Sequence, residues 1–368
     1  MGELKVGVMG CGAISDIYLK NLMGVFSDRV RVVAVGDVMA ESARKRAGEH
    51  GIATFGGPEA VLENPEVGLV LNLTPAPVHY ASTKQMLMAG KHVYSEKPLA
   101  LSMMEGRELV SLAGGKGLML SVAPDTLLGA GVQTCRRVID SGEIGKPVAA
   151  FGFVSVPSNT ERYFTVFRGP LLDLGPYHVG ALLMMLGAVK SVSGIAQAKI
   201  DVPAAPLPPA ARTVENPGQA AAVLEFASGA VATLICTVEY EAYSPELKVW
   251  GTKSAVVCND PNNFGGPVKL APPYKPLEEQ SLRFPHGENR RGIGVWDMAG
   301  ALGEGRPPRL SAELALHSLE VMLAVIESTK SGRRIELTTV YERSEPMPGL
   351  AETEGGSAVV GQAVAATV

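Results

Sequence analysis

An apolar run from Leu4 to Met9 breaks into Gly10-Cys11-Gly12-Ala13-Ile14-Ser15 and passes into an amphipathic stretch carrying Ile17, Leu19, Leu22 and Met23. No other feature constrains the fold as strongly. A buried strand, a glycine turn and a helix in direct succession form the context that dinucleotide-binding sheets require. Gly10 permits the turn, and Gly12, lacking a Cβ, lets a pyrophosphate approach the backbone. The helix then offers unpaired N–H groups and its positive end to the phosphates. Gly10, Gly12, Ala13 and Ile14 are the residues expected around them. Ser15 replaces the third glycine, so slightly looser helix–strand contact is expected. An ordinary tight turn would show the same order of elements, so the glycines alone do not decide.

The next segment adds weight. A second apolar run, Arg31 to Gly36, ends in Asp37, about two dozen residues after the glycines, where a carboxylate meets the ribose. An acid there bonds the 2′-hydroxyl of NAD and repels the 2′-phosphate of NADP. The same aspartate suits a cap on the helix that starts near Ala40, and the two roles are compatible. Arg44 and Lys45 keep NADP open beside NAD.

Strand-like and helix-like runs alternate to about residue 122: Val67 to Leu73, Tyr80 to Ala89, His92 to Ser95, Ser102 to Ala113, Leu118 to Val122. This order implies a parallel sheet covered on both faces. Ligands of such sheets bind outside the carboxyl ends of the strands. Asn72, Thr74, Pro75, His79, Glu96, Lys97 and Pro98 all fall at such ends, on one rim with the glycine turn and Asp37.

After Pro124 the pattern changes. A helix closes at Ser141, and Val148 to Val156 is a strand. A polar loop through Asn159, Glu161 and Arg162 leads to a helix opened by Pro176 and running to about Leu186. Strands follow at Val192 to Ile200, Ala220 to Phe226, Ala230 to Tyr240, Leu247 to Trp250 and Ala255 to Asn259. Ala227-Ser228-Gly229 and Gly251-Thr252-Lys253-Ser254 read as hairpin turns, so this second sheet is largely antiparallel. Gly292 to Leu302 and Ala312 to Ser328 are late helices. The expected architecture is α/β. Residues 1–124 form a Rossmann domain, and 125–345 an α+β domain with an open sheet, its late helices packing back on the first domain. Residues 203–209 form a proline-rich surface loop, and 349–368 a fraying tail.

With 368 residues, 46% hydrophobic and 19% charged, the chain is long enough for two cores. A net charge of -4 without a long basic run argues against nucleic acid. No apolar stretch has membrane-spanning length. The first strand leaves no room for a signal peptide. Cys11, Cys135, Cys236 and Cys258 lack metal-ligand spacing and read as reduced thiols of a cytoplasmic protein.

Lys97 is the sharpest chemical candidate. It stands between an acid and a proline just past a buried strand, where it can exchange a proton with a substrate hydroxyl. The plainer reading is a surface lysine paired with Glu96. Asp173 and Tyr177, four apart at the start of a predicted helix, project from one face, with His178 roughly a hundred degrees around. Core packing with satisfied polar tips is the plainer reading of Tyr177 and His178. His79 follows a Thr-Pro turn and suits either cofactor contact or a backbone bond. His286, Asn289, Arg290 and Arg291 form a polar cluster suited to sugar hydroxyls, to phosphate, or simply to solvent. His317 reads as packing.

Together these residues resemble the Gfo/Idh/MocA family, named for glucose-fructose oxidoreductase and inositol dehydrogenase. The resemblance lies in Gly10 to Ser15, Asp37, Thr74-Pro75-x-x-x-His79, Ala89 to Pro98, Ile139 to Val148 and Asp173-x-Gly175. It implies an NAD(P)-binding Rossmann domain and a C-terminal open sheet used partly for homodimer or homotetramer contacts. It also implies hydride transfer at a hydroxyl-bearing carbon of a sugar, cyclitol or related polyol, with Lys97 as the proton relay. The family's second motif usually reads Gly-Gly-x-x-x-Asp-x-Gly-x-His. Here Arg168 takes the place of its first glycine and Tyr177 that of its histidine, with His178 one place later. The implied catalytic set is Lys97, Asp173, Tyr177 and His178. Two other activities fit the resemblance: glycoside cleavage through transient oxidation by tightly held NAD, and a nucleotide-binding sensor without catalysis. Clustered positive charge in the second half is limited to Arg162, Arg168, Arg290 and Arg291, which favours an uncharged polyol or glycoside.

Overall fold

The computed structural model describes residues 3–157, 160–198, 213–238 and 243–349. The proline-rich loop, Asn159 and the tail beyond 349 lie outside them, as do the far ends of the strands expected to reach Ile200 and Tyr240.

The first sheet contains β1 (Leu4–Met9), β2 (Val30–Gly36), β3 (Thr54–Gly56), β4 (Leu69–Asn72), β5 (His92–Ser95) and β6 (Leu120–Val122). Its order is β3-β2-β1-β4-β5-β6, with every pair parallel. Val6, Val8, Leu69, Val70, Leu71 and Val93 are fully buried, as a sheet sandwiched between helices demands. The covering helices are α1 (Ser15–Met23), α2 (Ala40–His50), α3 (Glu59–Leu62), α4 (His79–Met88) and α5 (Met103–Gly115). Ser102 caps α5 by accepting from the Glu105 N–H, and Gly51 closes α2 in the left-handed conformation, the expected start and stop chemistry. The strand order reverses between β1 and β4, so a crevice opens beyond their carboxyl ends.

The second half begins with α6 (Ala130–Asp140), β7 (Pro147–Val156), α7 (Glu161–Val166), α8 (Gly169–Asp173) and α9 (Gly175–Leu186). It continues through β8 (Val189–Gln197), β9 (Gln219–Phe226), β10 (Val231–Val238), β11 (Ser244–Gly251), β12 (Ala255–Val257), β13 (Val268–Ala271) and β14 (Glu278–Gln280). Helices α10 (Ile293–Glu304) and α11 (Ala312–Ser331) and the short β15 (Ile335–Glu336) close it. The sheet runs β14-β13-β12-β11-β7-β10-β9-β8-β15, with β7 and β10 parallel and the other pairs antiparallel. Both expected hairpin turns join antiparallel neighbours. Ala232, Leu234, Cys236 and Val238 alternate inward along β10, the period-2 signature of a sheet with one covered face.

Two expectations need correction. The loop expected through Glu161 and Arg162 is in part a helix, α7, capped by Thr160 accepting from the Tyr163 N–H. Asp173 and Tyr177 do not share one helix: Asp173 ends α8, and α9 starts at Gly175 beyond Leu174. The late helices α10 and α11 contact elements of the first sheet's layer. Leu316 and Leu319 of α11 lie against Gly106 of α5. The N-terminus of α10 is held by Asp125, whose buried carboxylate accepts from Gly292 N–H, Gly294 N–H and the Tyr94 hydroxyl at 2.8, 2.7 and 2.7 Å.

Candidate active site

The rim is built from the ends of β1, β2, β4 and β5. Gly10 adopts φ +97°, and a Cβ there would stand 2.7 Å from the Leu73 carbonyl at the end of β4. Only glycine fits both conditions. A Cβ on Gly12 would meet nothing within 4 Å, so its backbone faces open space, the opening a pyrophosphate needs. Ala13 completes the turn, and Ile14 projects to line the cleft beside it. Ser15 tightens the turn: fully buried, its hydroxyl donates to Gly12 O at 2.6 Å and accepts from Arg46 Nε at 3.0 Å. Asp37 accepts from the Cys11 and Met39 N–H groups at 2.7 and 2.8 Å. It fixes the glycine turn while its oxygens keep lone pairs for a ribose hydroxyl. Burial raises the Cys11 thiol to about 11, so it stays protonated and serves as filler. Of the cations flagged on α2, Arg44 pairs with Glu41 and Lys45 points toward Glu49. Arg46, which the helical pattern alone did not single out, is the one that touches the turn.

Asn72 is fully buried and does not line the cleft. Its amide donates to Ser82 and Thr83 at 3.0 Å each, and its oxygen accepts the Thr74 hydroxyl at 2.7 Å. It braces the Thr74-Pro75 wall from behind. His79, also buried, places Nδ1 and Nε2 2.7 Å from Pro98 O and Thr74 O. Burial lowers the pKa of this ring. It ties the turn after β4 to the turn after β5, where the Lys97–Pro98 peptide is cis.

Lys97, just past the end of β5, reaches the end of α8. Its Nζ donates to Asp173 Oδ1 at 2.6 Å and to Asp173 O at 2.8 Å, and lies 5.2 Å from the centre of the Tyr177 ring. Burial pushes the Lys97 pKa down, but Tyr177, Asp173 and Glu96 outweigh it and hold the ammonium above its ordinary value. Glu96 accepts the Tyr18 hydroxyl at 2.8 Å and the Lys97 N–H at 3.1 Å. Ile14, Leu73, Thr74, Pro75, Ala76, His79, Glu96, Lys97, Phe167, Leu172, Asp173, Tyr177 and Arg291 surround one cleft of about 260 Å³. Tyr18, Phe167 and Leu172 carry no sign of the site in the sequence, whereas Arg291 is the one member of the polar cluster before α10 that lines this cleft.

His178, the fourth residue of the implied catalytic set, does not line this cleft. Its ring points into the second sheet, 3.6 Å from the position a Cβ on Gly152 would take, and burial lowers its pKa to about 4. Tyr177 is the neighbour that faces the site. Arg168 explains the glycine usual at its place: it holds φ 62°, a left-handed conformation costly for a side-chain-bearing residue. Of the polar cluster before α10, His286 packs against Phe26 and Trp296, Arg290 pairs with Glu288, and Arg291 reaches the cleft. His317 is a packing residue, accepting from the Val189 N–H.

The chain matches two family descriptions. "Oxidoreductase family, NAD-binding Rossmann fold" covers residues 4–124, and "GFO/IDH/MocA C-terminal domain" covers residues 132–257. A dTDP-3,4-didehydro-2,6-dideoxy-alpha-D-glucose 3-reductase of Streptomyces violaceoruber is 32% identical over 197 residues, 52% of this chain and 57% of that protein. An inositol 2-dehydrogenase of Burkholderia lata is 34% identical over 166 residues, 44% of this chain and 49% of that protein. The chain thus spans about half the length of the curated relatives it matches. A solved NAD binding oxidoreductase from Klebsiella pneumoniae superposes with a TM-score of 0.78 at 21% identity, covering 92% of this chain and 99% of that one, so the fold is shared. Among the described residues no helix is long and apolar enough to cross a membrane.

Proposed function

This chain belongs to the Gfo/Idh/MocA oxidoreductase family and carries its NAD-binding Rossmann domain, and we propose that it transfers hydride between nicotinamide and a hydroxyl-bearing carbon of a sugar or cyclitol. The observation that carries this reading is the Lys97–Asp173 pair, set in a cleft that Ile14, at the end of the glycine turn, also lines. The relatives named as an inositol dehydrogenase and a dTDP-sugar reductase support the substrate class. Asp37 at the end of β2 favours NAD over NADP.

Gly10, Gly12, Ala13 and Ile14 would hold the phosphates, Asp37 the ribose, and Thr74, Pro75 and Glu96 the wall next to the reacting ring. When bound, nicotinamide accepts or supplies the hydride. The proton is the task of the side chains. Lys97, protonated and directed by Asp173, donates to the substrate oxygen when a carbonyl is reduced. In the reverse direction Lys97 first releases its own proton to solvent water at the open side of the cleft and then takes the hydroxyl proton. The Tyr177 hydroxyl, which burial keeps protonated, can pass a proton on only by giving up its own as it receives one. Asp173 takes no proton: its carboxylate and backbone carbonyl fix the direction of Nζ. Asn72 and His79 keep the Thr74 wall and the turn after β5 at a constant separation. The open face of the second sheet exposes Ile195, Val223 and Val231 and supplies the surface for a homodimer or homotetramer, which light scattering would detect.

The test is nicotinamide absorbance with purified protein, NAD or NADP, and a panel of sugars, cyclitols and glycosides, with product analysis throughout. Reduction of NAD by one polyol class is the expected result. Glycoside cleavage without net reduction, or nucleotide binding with no chemistry across the panel, would contradict the reading.

A further inference from the structure

Arg291 is a cleft-lining cation that the hydride-transfer reading leaves without a task. Other part-buried arginines of this chain carry an acid of their own: Arg306 and Arg309 meet Asp297, and Arg343 meets Asp140. Among the described residues, no carboxylate lies within ion-pair distance of Arg291. Its guanidinium donates from Nη1 to the Asn289 side-chain oxygen at 3.1 Å, on the exposed side. The acids nearest to it bond other groups: Asp173 holds Lys97, Glu96 accepts from Tyr18 and from the Lys97 N–H, and Asp125 accepts from Tyr94 and the start of α10. Glu96 and Asp125 favour the Arg291 charge from a distance without pairing with it.

The backbone that presents Arg291 is fixed from both sides. Asn21 Nδ2 donates to Arg291 O at 2.8 Å and to Asn289 O at 3.0 Å. The next residue, Gly292, donates to the buried Asp125 at 2.8 Å. A half-buried guanidinium on a pinned backbone is preorganised, so little ordering cost remains when a ligand meets it. Its planar fork matches the paired oxygens of a carboxylate or phosphate. The phosphates of a dinucleotide have a separate seat at the glycine turn, where backbone N–H groups and the start of α1 receive them. Arg291 therefore calls for a different anion.

We infer that Arg291 receives a carboxylate or phosphate group of the substrate, which makes the substrate class of this cleft an anionic sugar or polyol. This rests on the hydride-transfer reading of the same cleft. It replaces the uncharged polyol favoured by the sparse charge of the second half, because proximity to Lys97 matters and the number of arginines does not.

Calorimetric titration tests the inference. NADH is titrated into wild type, Arg291→Gln and Arg291→Lys. D-glucose, D-glucuronate and D-glucose 6-phosphate are then titrated into the NADH-saturated proteins. In wild type at least one anionic probe binds ten times or more tightly than glucose. Arg291→Gln abolishes that advantage, and Arg291→Lys keeps part of it, since a point charge lacks the fork. NADH affinity changes less than twofold in both variants. Equal binding of all three probes by wild type overturns the inference, as does an advantage that survives in Arg291→Gln. A tenfold loss of NADH affinity in Arg291→Gln with the probe preference intact assigns the anion to the cofactor and also overturns it. Failure of wild type to bind NADH brings down the hydride-transfer reading and this inference together, whereas NADH binding without anion preference brings down this inference alone.

Discussion

Replacing Asp173 by asparagine tests the central ion pair through stability as well as rate. The substitution keeps the shape and removes the charge, leaving the Lys97 ammonium against a backbone carbonyl 2.8 Å away. The paired side chains are only 13% and 16% exposed, so the pair behaves as a buried one. Breaking a buried pair costs about 3–5 kcal/mol. The surviving carbonyl bond places the expected loss near the lower end, about 3 kcal/mol, which equals a fall of about two units in the Lys97 pKa. The pH dependence carries a further signature. Lys97 is held above its ordinary value in the folded protein, so its contribution is fully present below the unfolded lysine pKa of about 10.4 and is lost only as pH rises beyond it. Urea unfolding of both proteins between pH 7 and pH 10 is the assay. A nearly constant difference of about 3 kcal/mol is expected, together with a fall in kcat larger than any rise in KM. A difference below about 1 kcal/mol would mark a solvent-screened surface pair and refute the reasoning. So would a difference that shrinks steadily across that range.

Other consequences are equally concrete. Gly10→Ala meets the Leu73 carbonyl in a positive-φ backbone and should lower the thermal midpoint by several degrees, whereas Gly12→Ala should leave it unchanged and weaken NADH binding at least tenfold by fluorescence titration. Tyr177→Phe should lower kcat by roughly 10²-fold or more if its hydroxyl carries a proton, with little change in NADH affinity. His178→Gln should reduce turnover far less, since the ring lies outside the cleft. His178 is held near 4 by burial, below the unfolded value of about 6.5. Its neutral form therefore supports folding above that value, and the support is lost as pH falls toward 4. Wild type should lose roughly 2 kcal/mol more than His178→Gln between pH 7 and pH 5 in urea unfolding.

Much of the fold is written locally. The strands of the first sheet are apolar and bounded by glycine, proline and capping residues, so β1, β2, β4 and β5 are readable from the chain. The elements not seen are those too short or too polar to show a period: β3 has three residues with Thr54 and Phe55 exposed, and α8 has five. The site divides on the same line. Lys97 and Asp173 stand out by motif, but a single helix through Asp173 and Tyr177 does not form: Asp173 ends α8 and α9 starts at Gly175. Adjacent helical residues point about 100° apart, which is why Tyr177 faces the cleft and His178 the sheet. Arg291 reads from sequence only as one of a polar cluster suited equally to sugar hydroxyls, phosphate or solvent. Its position follows from Asn21 and Asp125, more than 160 residues away in sequence, and such long-range anchors leave no mark on spacing.

The most direct test of the account is Lys97→Met, assayed for nicotinamide absorbance change with the active substrate and, in parallel, for NADH affinity. The account predicts a loss of turnover of about 10²–10⁴-fold, the range for removal of a positioned proton carrier, with NADH affinity within a few-fold of wild type. Turnover close to wild type would contradict it. Turnover and NADH binding lost together would make Lys97 a structural residue of the rim.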